Sequence, residues 1–323
     1  MKHKLLKLNS VLLVGLGLSS LQAQTDTLYV MKGGVVINKQ SIKLADVDSV
    51  IFYKPVITSP GLSISTVLIP AGTFTMGSPL TEVNRDSNET QHTVTLSAFR
   101  MSKYEITNAQ YAAFLNAKSI GSNGFTNPYH PLIEANYDSN YFGLHYSGSQ
   151  WVTVAGYENA PVVYVTWYGA TEYATYIGGT LPTEAQWEYA CRAGTTTQFN
   201  TGNFLTNMQA NYSWSNTYNS GLNTVTTTSP NKTQTIGTYT PNAYGLYDMH
   251  GNVAEWCSDW YGTYPTTAQT NPTGTATGSE GSDRVVRGGS WRFYTQHCRS
   301  AFRLYILPYH GFNDVGFRVV LVP

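Results

Sequence analysis

LPTEAQWEYACRAG, residues 181–194, contains both the start and the stop signal of a helix. The Thr183 hydroxyl is placed to accept from the backbone N–H of Gln186, while the Gln186 side chain reaches back to the backbone of Thr183, the reciprocal pairing of a capping box. A helix is therefore predicted from Thr183 through AQWEYACRAG, ending at Gly194, where glycine accepts the left-handed backbone that closes a helix. Two more helices follow from the same kind of signal. Thr107 precedes NAQYAAFLNA, and Thr166 precedes WYGATEYATYI, which stops at Gly178-Gly179. LIPAGTFTMGS (68–78) reads as a strand and a glycine turn that open the large domain. Residues 195–240, rich in Thr, Asn and Ser and without periodicity, read as a surface loop region that needs support from elsewhere. Three capped helices among short strands and long loops make an α+β chain with little regular structure, and no repeat of fixed period is present.

The chain has 323 residues, enough for one large domain with a small unit beside it. Charged residues are 12% and cancel to a formal net charge of zero, which argues against nucleic acid or an anionic membrane as a partner. Aromatics reach 13%, including 24 Tyr, a composition that suits an extracellular, loop-rich fold. Lys2, Lys4 and Lys7 precede the apolar run Val11–Leu21, and Ala23 offers a small residue for cleavage, so residues 1–23 read as a signal peptide. The run carries Gly15, Gly17, Ser19 and Ser20 and is shorter than the roughly 20 residues of a membrane span. No cysteine follows it to take a lipid anchor, and no later stretch is apolar enough to span. The expectation is an exported protein, periplasmic, on the cell surface or extracellular. Residues 24–54 read as a small β-rich unit with apolar runs at Leu28–Met31, Val35–Ile37 and Val50–Tyr53; residues 55–64, with Pro55 and Pro60, read as a linker; residues 65–323 form the main domain.

In an oxidising compartment Cys191, Cys257 and Cys298 allow one disulfide and leave one thiol over, and the spacing does not say which. No Cys-x-x-Cys or Cys/His pairing points to zinc. The seven histidines are scattered, no nucleophile elbow or phosphate-cradling glycine loop is present, and the acids are too dispersed to pick out a general acid/base pair. One constellation has metal-ligand character. In DMHGNVAEW (248–256), Asp248 and Glu255 flank the backbone carbonyls of Gly251 and Val253, oxygen donors of the kind calcium takes from an irregular loop. The competing reading has the two acids capping turns or pairing with arginine.

IPAGTFTMGS, MSKYEITNAQYAAFL, PVVYVTWYGATEYA, LPTEAQWEYACRAG, YGLYDMHGNVAEWCSDWY, RVVRGGSW and GFRVV occur in the order seen in the formylglycine-generating enzyme (sulfatase-modifying factor) superfamily, which the chain resembles over residues 65–323. The resemblance implies a C-type-lectin-like α+β fold and a structural calcium ion at Asp248, Gly251, Val253 and Glu255. It also implies a disulfide between Cys191 and Cys298, with Cys257 as the odd thiol. Superfamily members that oxidise a sulfatase cysteine grip Cu(I) between two cysteines after the GGS[YW] motif. The corresponding interval here, RFYTQH (292–297), is shorter and has no cysteine, so no copper is expected. A formylglycine-generating oxidoreductase is accordingly the alternative rather than the leading reading.

The C-terminal stretch RGGSWRFYTQHCRSAFRLYILPYHGFNDVGFRVV (287–320) gives the leading one. Its frame, Gly288, Gly289, Ser290, Trp291, Cys298, Arg299, Ser300, Ala301, Arg303, Pro308, Gly316, Phe317 and Arg318, follows the superfamily motif. The residues between are those that randomising the first two bases of an AAC codon can produce, with Gln296 assigned to the frame. That split resembles the variable proteins of diversity-generating retroelements, and implies a binding patch for a protein or glycan on another surface. Its residues are Arg292, Phe293, Tyr294, His297, Leu304, Tyr305, Ile306, Leu307, Tyr309, His310, Phe312, Asn313 and Asp314. Aromatic rings with large area and few rotors, mixed with polar groups, are the mixture of paratopes and interface hot spots. The competing reading makes Phe302, Leu304, Ile306 and Leu307 ordinary core.

Overall fold

The structure, a computed structural model, describes residues 64–127, 130–134, 143–214, 228–276 and 283–321, together with the backbone of four N-terminal strands. The chain divides into two compact units, Met1–Pro55 and Val56–Pro323. In the first, β1 (Leu5–Leu8) pairs antiparallel with β2 (Val11–Val14), and β3 (Thr25–Lys32) with β4 (Val35–Lys43). The strands expected at Leu28–Met31 and Val35–Ile37 thus fall inside a longer hairpin, whereas Val50–Tyr53 and almost all of the 55–64 linker lie outside the described residues. The first hairpin occupies part of the stretch read from the sequence as a signal peptide.

The second unit begins with β5 (Thr66–Ile69), β6 (Gly72–Met76), β7 (His92–Leu96) and β8 (Phe99–Ser102). It continues with α1 (Asn108–Ala117), β9 (Phe125–Asn127), β10 (His130–Pro131), β11 (Leu144–Ser147), β12 (Gln150–Thr153), α2 (Trp167–Tyr176) and α3 (Glu184–Arg192). Then come β13 (Ala254–Trp260), β14 (Gln269–Thr270), β15 (Arg284–Arg287), a 3-10 turn at Thr295–Cys298, β16 (Leu304–Ile306), β17 (Val315–Gly316) and β18 (Val320–Leu321). All three helices start where the sequence places them. Thr107 and Thr183 each form a complete capping box, with Gln110 and Gln186, and the Thr166 hydroxyl accepts from the backbone N–H of Gly169. The third helix ends on Ala193 and Gly194, both in the left-handed region. The strand expected in 68–78 is resolved into two, β5 and β6, which belong to different sheets: β18-β8-β5 and β14-β7-β6. A third sheet, of order β16-β15-β13-β17, takes two short strands, β16 and β17, from the C-terminal segment.

Helices α1 and α2 each bury one side, whereas in α3 every residue but Gln186 is buried. On α1, Tyr111, Phe114 and Leu115 pack with Tyr173 of α2, Phe317 and Trp256 in one core cluster; on α3, Trp187, Ala190 and Cys191 pack with Ile69, Val94, Met249 and Val285 in another. The loop region 195–240 is supported as expected for its described part. Phe199, Leu205, Tyr212 and Trp214 form their own cluster with Cys298, against which Phe293 packs.

The approach of α2 to the chain beneath it is close. A Cβ at Gly169 would lie 1.9 Å from the Leu132 carbonyl oxygen and 2.4 Å from the Tyr111 hydroxyl. Glycine to alanine in a helix ordinarily adds about 1 kcal/mol of stability. Here Gly169→Ala is expected to lower stability by about 1–3 kcal/mol, because overpacking outweighs propensity. Urea unfolding midpoints of the two proteins check the sign.

Candidate functional site

The C-terminal segment leaves β15 through Gly288 and Gly289, both at positive φ. A Cβ at Gly289 would lie 2.7 Å from the Cys298 sulfur and from the His297 carbonyl oxygen, so the chain can fold back on itself only with glycine there. From this point anchors alternate with displayed residues. Ser290 donates to Asp314 at 2.7 Å, joining the two ends of the segment. Arg299 is held by Glu89 at 2.7 and 2.8 Å and by Glu82 at 2.7 Å. Arg303 grips both oxygens of Glu184, at 2.7 and 2.9 Å, and lies 3.7 Å over the Tyr264 ring. Arg287 pairs with Glu188, lies 3.3 Å from Glu184 and donates to the carbonyls of Ser300 and Phe302. Arg318 donates to both oxygens of Glu255, at 2.6 and 2.7 Å. These four arginines are all buried. In a low-dielectric interior their forked geometry satisfies carboxylates and carbonyls together, which a lysine does not.

Between these anchors, Arg292, Tyr305, Tyr309, His310 and Phe312 are exposed, Tyr305 at 50%, Tyr309 at 44% and Phe312 at 42%. Phe293, Tyr294, His297, Leu304, Ile306, Leu307 and Asn313 are half-buried, and Asp314 is buried. Successive residues of a strand face opposite sides. Leu304 and Ile306 accordingly turn to one face of β16 and line a shallow groove of about 320 Å³ with Phe293, Phe312, Arg292 and Val315, while Tyr305 turns the other way onto Tyr261, with ring centroids 4.4 Å apart. Arg292 borders the groove with its guanidinium 2.9 Å from the Asn313 side-chain oxygen. Beyond the groove, Tyr309, His310 and Phe312 form a chain of ring contacts, with His310 3.2 Å from Glu134.

Two of the candidate residues, His297 and Asp314, turn inward to partners within the segment. His297 turns to Phe302, Phe293 and Tyr294, and its burial lowers its pKa. Asp314 serves Ser290, and burial raises its pKa. Phe302 is core, as the competing reading had it, and Leu304 and Ile306 pack partly against the core while still lining the groove.

At the calcium positions implied by the resemblance, one of the two acids is already committed. Both Glu255 oxygens are taken by Arg318, and one also by the Trp187 indole N–H at 2.7 Å. Asp248 gives one oxygen to the backbone N–H of Gly237 and leaves the other buried without a partner. The arginine pairing weighed against calcium is thus the one seen at Glu255. Among the described residues no group of three or more His, Cys, Asp or Glu side chains is placed to hold a metal ion. Cys191, Cys257 and Cys298 are all fully buried, and burial pushes each thiol up, to about 12 for Cys191 and Cys298. The Cys191–Cys298 disulfide is corrected: all three cysteines are free. The Cys191 sulfur lies 3.7 Å from the Met249 carbonyl, 3.8 Å from the Ser300 hydroxyl and 3.8 Å from His250, whose Nδ1 donates to the Cys298 carbonyl at 2.8 Å.

Sequence reasoning singled out Asp248 and Glu255 but missed Glu105, which meets them around Arg318. It also missed Asp259, Glu184 and His92, which line a cavity at the start of α3. These four come from distant segments, so no spacing announces them.

Residues 58–322 match the sulfatase-modifying factor enzyme 1-like domain. The chain belongs to this family. Formylglycine-generating enzyme of Mus musculus is 31% identical over 281 residues, covering 78% of this chain and 73% of the mouse protein. Among solved structures, PvdO from Pseudomonas aeruginosa superposes with a TM-score of 0.58 at 26% identity, over 82% of this chain and 100% of its own. Treponema denticola variable protein 1 also superposes with a TM-score of 0.58, at 24% identity over 80% of this chain and 95% of its own, a likeness of fold. In this sulfatase-modifying factor family member the arginine clamps are buried, and between them Arg292, Tyr305, Tyr309, His310 and Phe312 are presented to solvent. Among the described residues no helix is long and apolar enough to cross a membrane.

Proposed function

We propose that this sulfatase-modifying factor family member is an exported, non-catalytic binding protein that uses the surface between residues 292 and 315 to recognise a protein or glycan on another surface. The single observation that carries this reading is the alternation along that segment. Arginines 299 and 303 are sealed in ion pairs, while Tyr305, Tyr309 and Phe312 stand exposed, Phe312 at the edge of an apolar groove. Large rings left in water raise the free energy of the unbound protein, and covering them with a partner recovers it. The superposition with a variable protein and the lectin-like architecture implied by the motifs support the same reading. The absence of any cysteine in 292–297, with all three thiols buried, weighs against formylglycine chemistry.

Two results are expected. Copper-loaded protein incubated with a Cys-x-Pro-x-Arg peptide yields no aldehyde by mass spectrometry, and turnover would overturn the proposal. The triple variant Tyr305→Ala, Tyr309→Ala, Phe312→Ala loses less than about 2 kcal/mol, mostly the Tyr261 contact, where truncating three core aromatics would cost on the order of 10 kcal/mol. Retained folding with loss of binding across a glycan and surface-protein array supports the reading; an unfolded triple variant makes these rings core and sinks it.

A further inference from the structure

A second concavity, sharing no lining residue with the groove, lies where the β14-β7-β6 sheet meets the start of α3 and the end of β13. It holds about 270 Å³. Glu184 and Arg303 at its wall neutralise one another through two hydrogen bonds. Asp259 has no such partner. One of its oxygens, Oδ2, accepts from the backbone N–H of Glu184 at 3.0 Å and from the Ser258 hydroxyl at 2.9 Å, and Oδ1 accepts from no described residue, although Asp259 is only 4% exposed. A carboxylate this far out of water with no cation bonded to it is costly to keep charged.

His92, 6% exposed, lines the same cavity. Its Nδ1 donates to the Thr90 carbonyl at 3.1 Å, so in the neutral ring Nε2 is a lone-pair acceptor, and it has no partner among the described residues. At the rim, the Gln269 amide nitrogen is turned to Thr267 and Ala268, leaving its oxygen without a donor. The cavity therefore gathers acceptors without donors among the described residues, and a carboxylate that Arg303 influences through space but does not hydrogen-bond. A metal ion is disfavoured, because no described group of three His, Cys, Asp or Glu side chains is placed to hold one. An ammonium group, with three N–H donors and a positive charge, supplies what is missing.

We propose that this cavity binds the ammonium group of a small amine, with Asp259 Oδ1 and His92 Nε2 as its principal acceptors and Gln269 at the rim. The site is independent of the 292–315 surface, and its failure would leave that reading untouched. Titration calorimetry at pH 7 of the full chain with propylamine and ethanolamine, both ammonium ions at that pH, is the test; propanol and ethylene glycol are the uncharged counterparts. Saturable millimolar binding of the amines alone is expected. Release of part of a proton should accompany it, read from the difference between two buffers, because a bound cation favours ionised Asp259. Asp259→Asn and His92→Phe should each weaken binding about tenfold or more, with the thermal transition retained. Should Asp259→Asn fail to fold, His92→Phe alone decides. No saturable binding, equal binding of the alcohols, or folded variants that bind like the parent would each overturn the assignment.

Discussion

Arg287→Ala is expected to lose about 3–5 kcal/mol of unfolding free energy, the usual consequence of breaking a buried ion pair from one side. The guanidinium it removes sits between Glu184 and Glu188 and also satisfies the carbonyls of Ser300 and Phe302. Arg303 and Arg192 remain to face the two acids, but the carbonyls lose their donor and Glu188 loses its tie to β15. For a domain of this size the thermal midpoint should fall by on the order of 10 °C. Calorimetry measures it, and a fall under about 2 °C would mean that the remaining arginines carry the network. Arg287→Lys is expected to fare little better, since a single ammonium cannot replace the fork.

The second large effect concerns pH. Burial, reinforced by the charge of Glu184, pushes Asp259 up to about 7. Burial likewise raises Asp248 to about 6, and burial with the charges of Asp248 and Glu255 raises Glu105 well above the carboxylate range. An acid whose folded pKa exceeds its unfolded value holds its proton more tightly when native. Its contribution is complete below about pH 4 and is lost as pH rises through the folded value. His250 works in the opposite sense: burial lowers it to about 4, so folding is weakened as pH falls from about 6.5 towards 4. With Asp259, Asp248, Glu105 and Asp314 raised against the lowered His250 and His297, stability should decline from pH 5 to pH 8. Asp259→Asn removes that residue's share of the decline. The amide oxygen can still accept from Glu184 and Ser258, so the variant should match the parent at about pH 4 and exceed it by a few kcal/mol at about pH 8. Parallel urea titrations of both proteins at the two pH values read the difference, and parallel curves would refute the buried charge.

What could be read from the sequence was local. Thr107, Thr166 and Thr183 announce their helices because a capping hydroxyl and its partner lie three residues apart, within reach before any tertiary contact forms. Strands of two to five residues, such as β14 and β17, carry too few side chains to show a period, and their pairing is decided by partners far along the chain. The same distance hid the ion pairs. Arg299 meets Glu82 and Glu89 across more than two hundred residues, and Glu255 was assigned as a calcium donor because nothing near it in sequence reveals Arg318. At the C-terminal surface the displayed rings were legible as a class. Their division was not: Leu304 and Ile306 face the groove while Tyr305 faces Tyr261, a matter of strand register.

The pinning of the C-terminal segment by Arg299 and Arg303 separates what holds it from what it shows. Because Glu82, Glu89 and Glu184 grip guanidinium groups, the exposed Tyr305, Tyr309, His310 and Phe312 are expected to tolerate turnover in composition at little energetic penalty. The protein is in this sense a ready chassis for engineered loops, in which foreign specificity can be grafted while the load of folding stays with charges locked elsewhere.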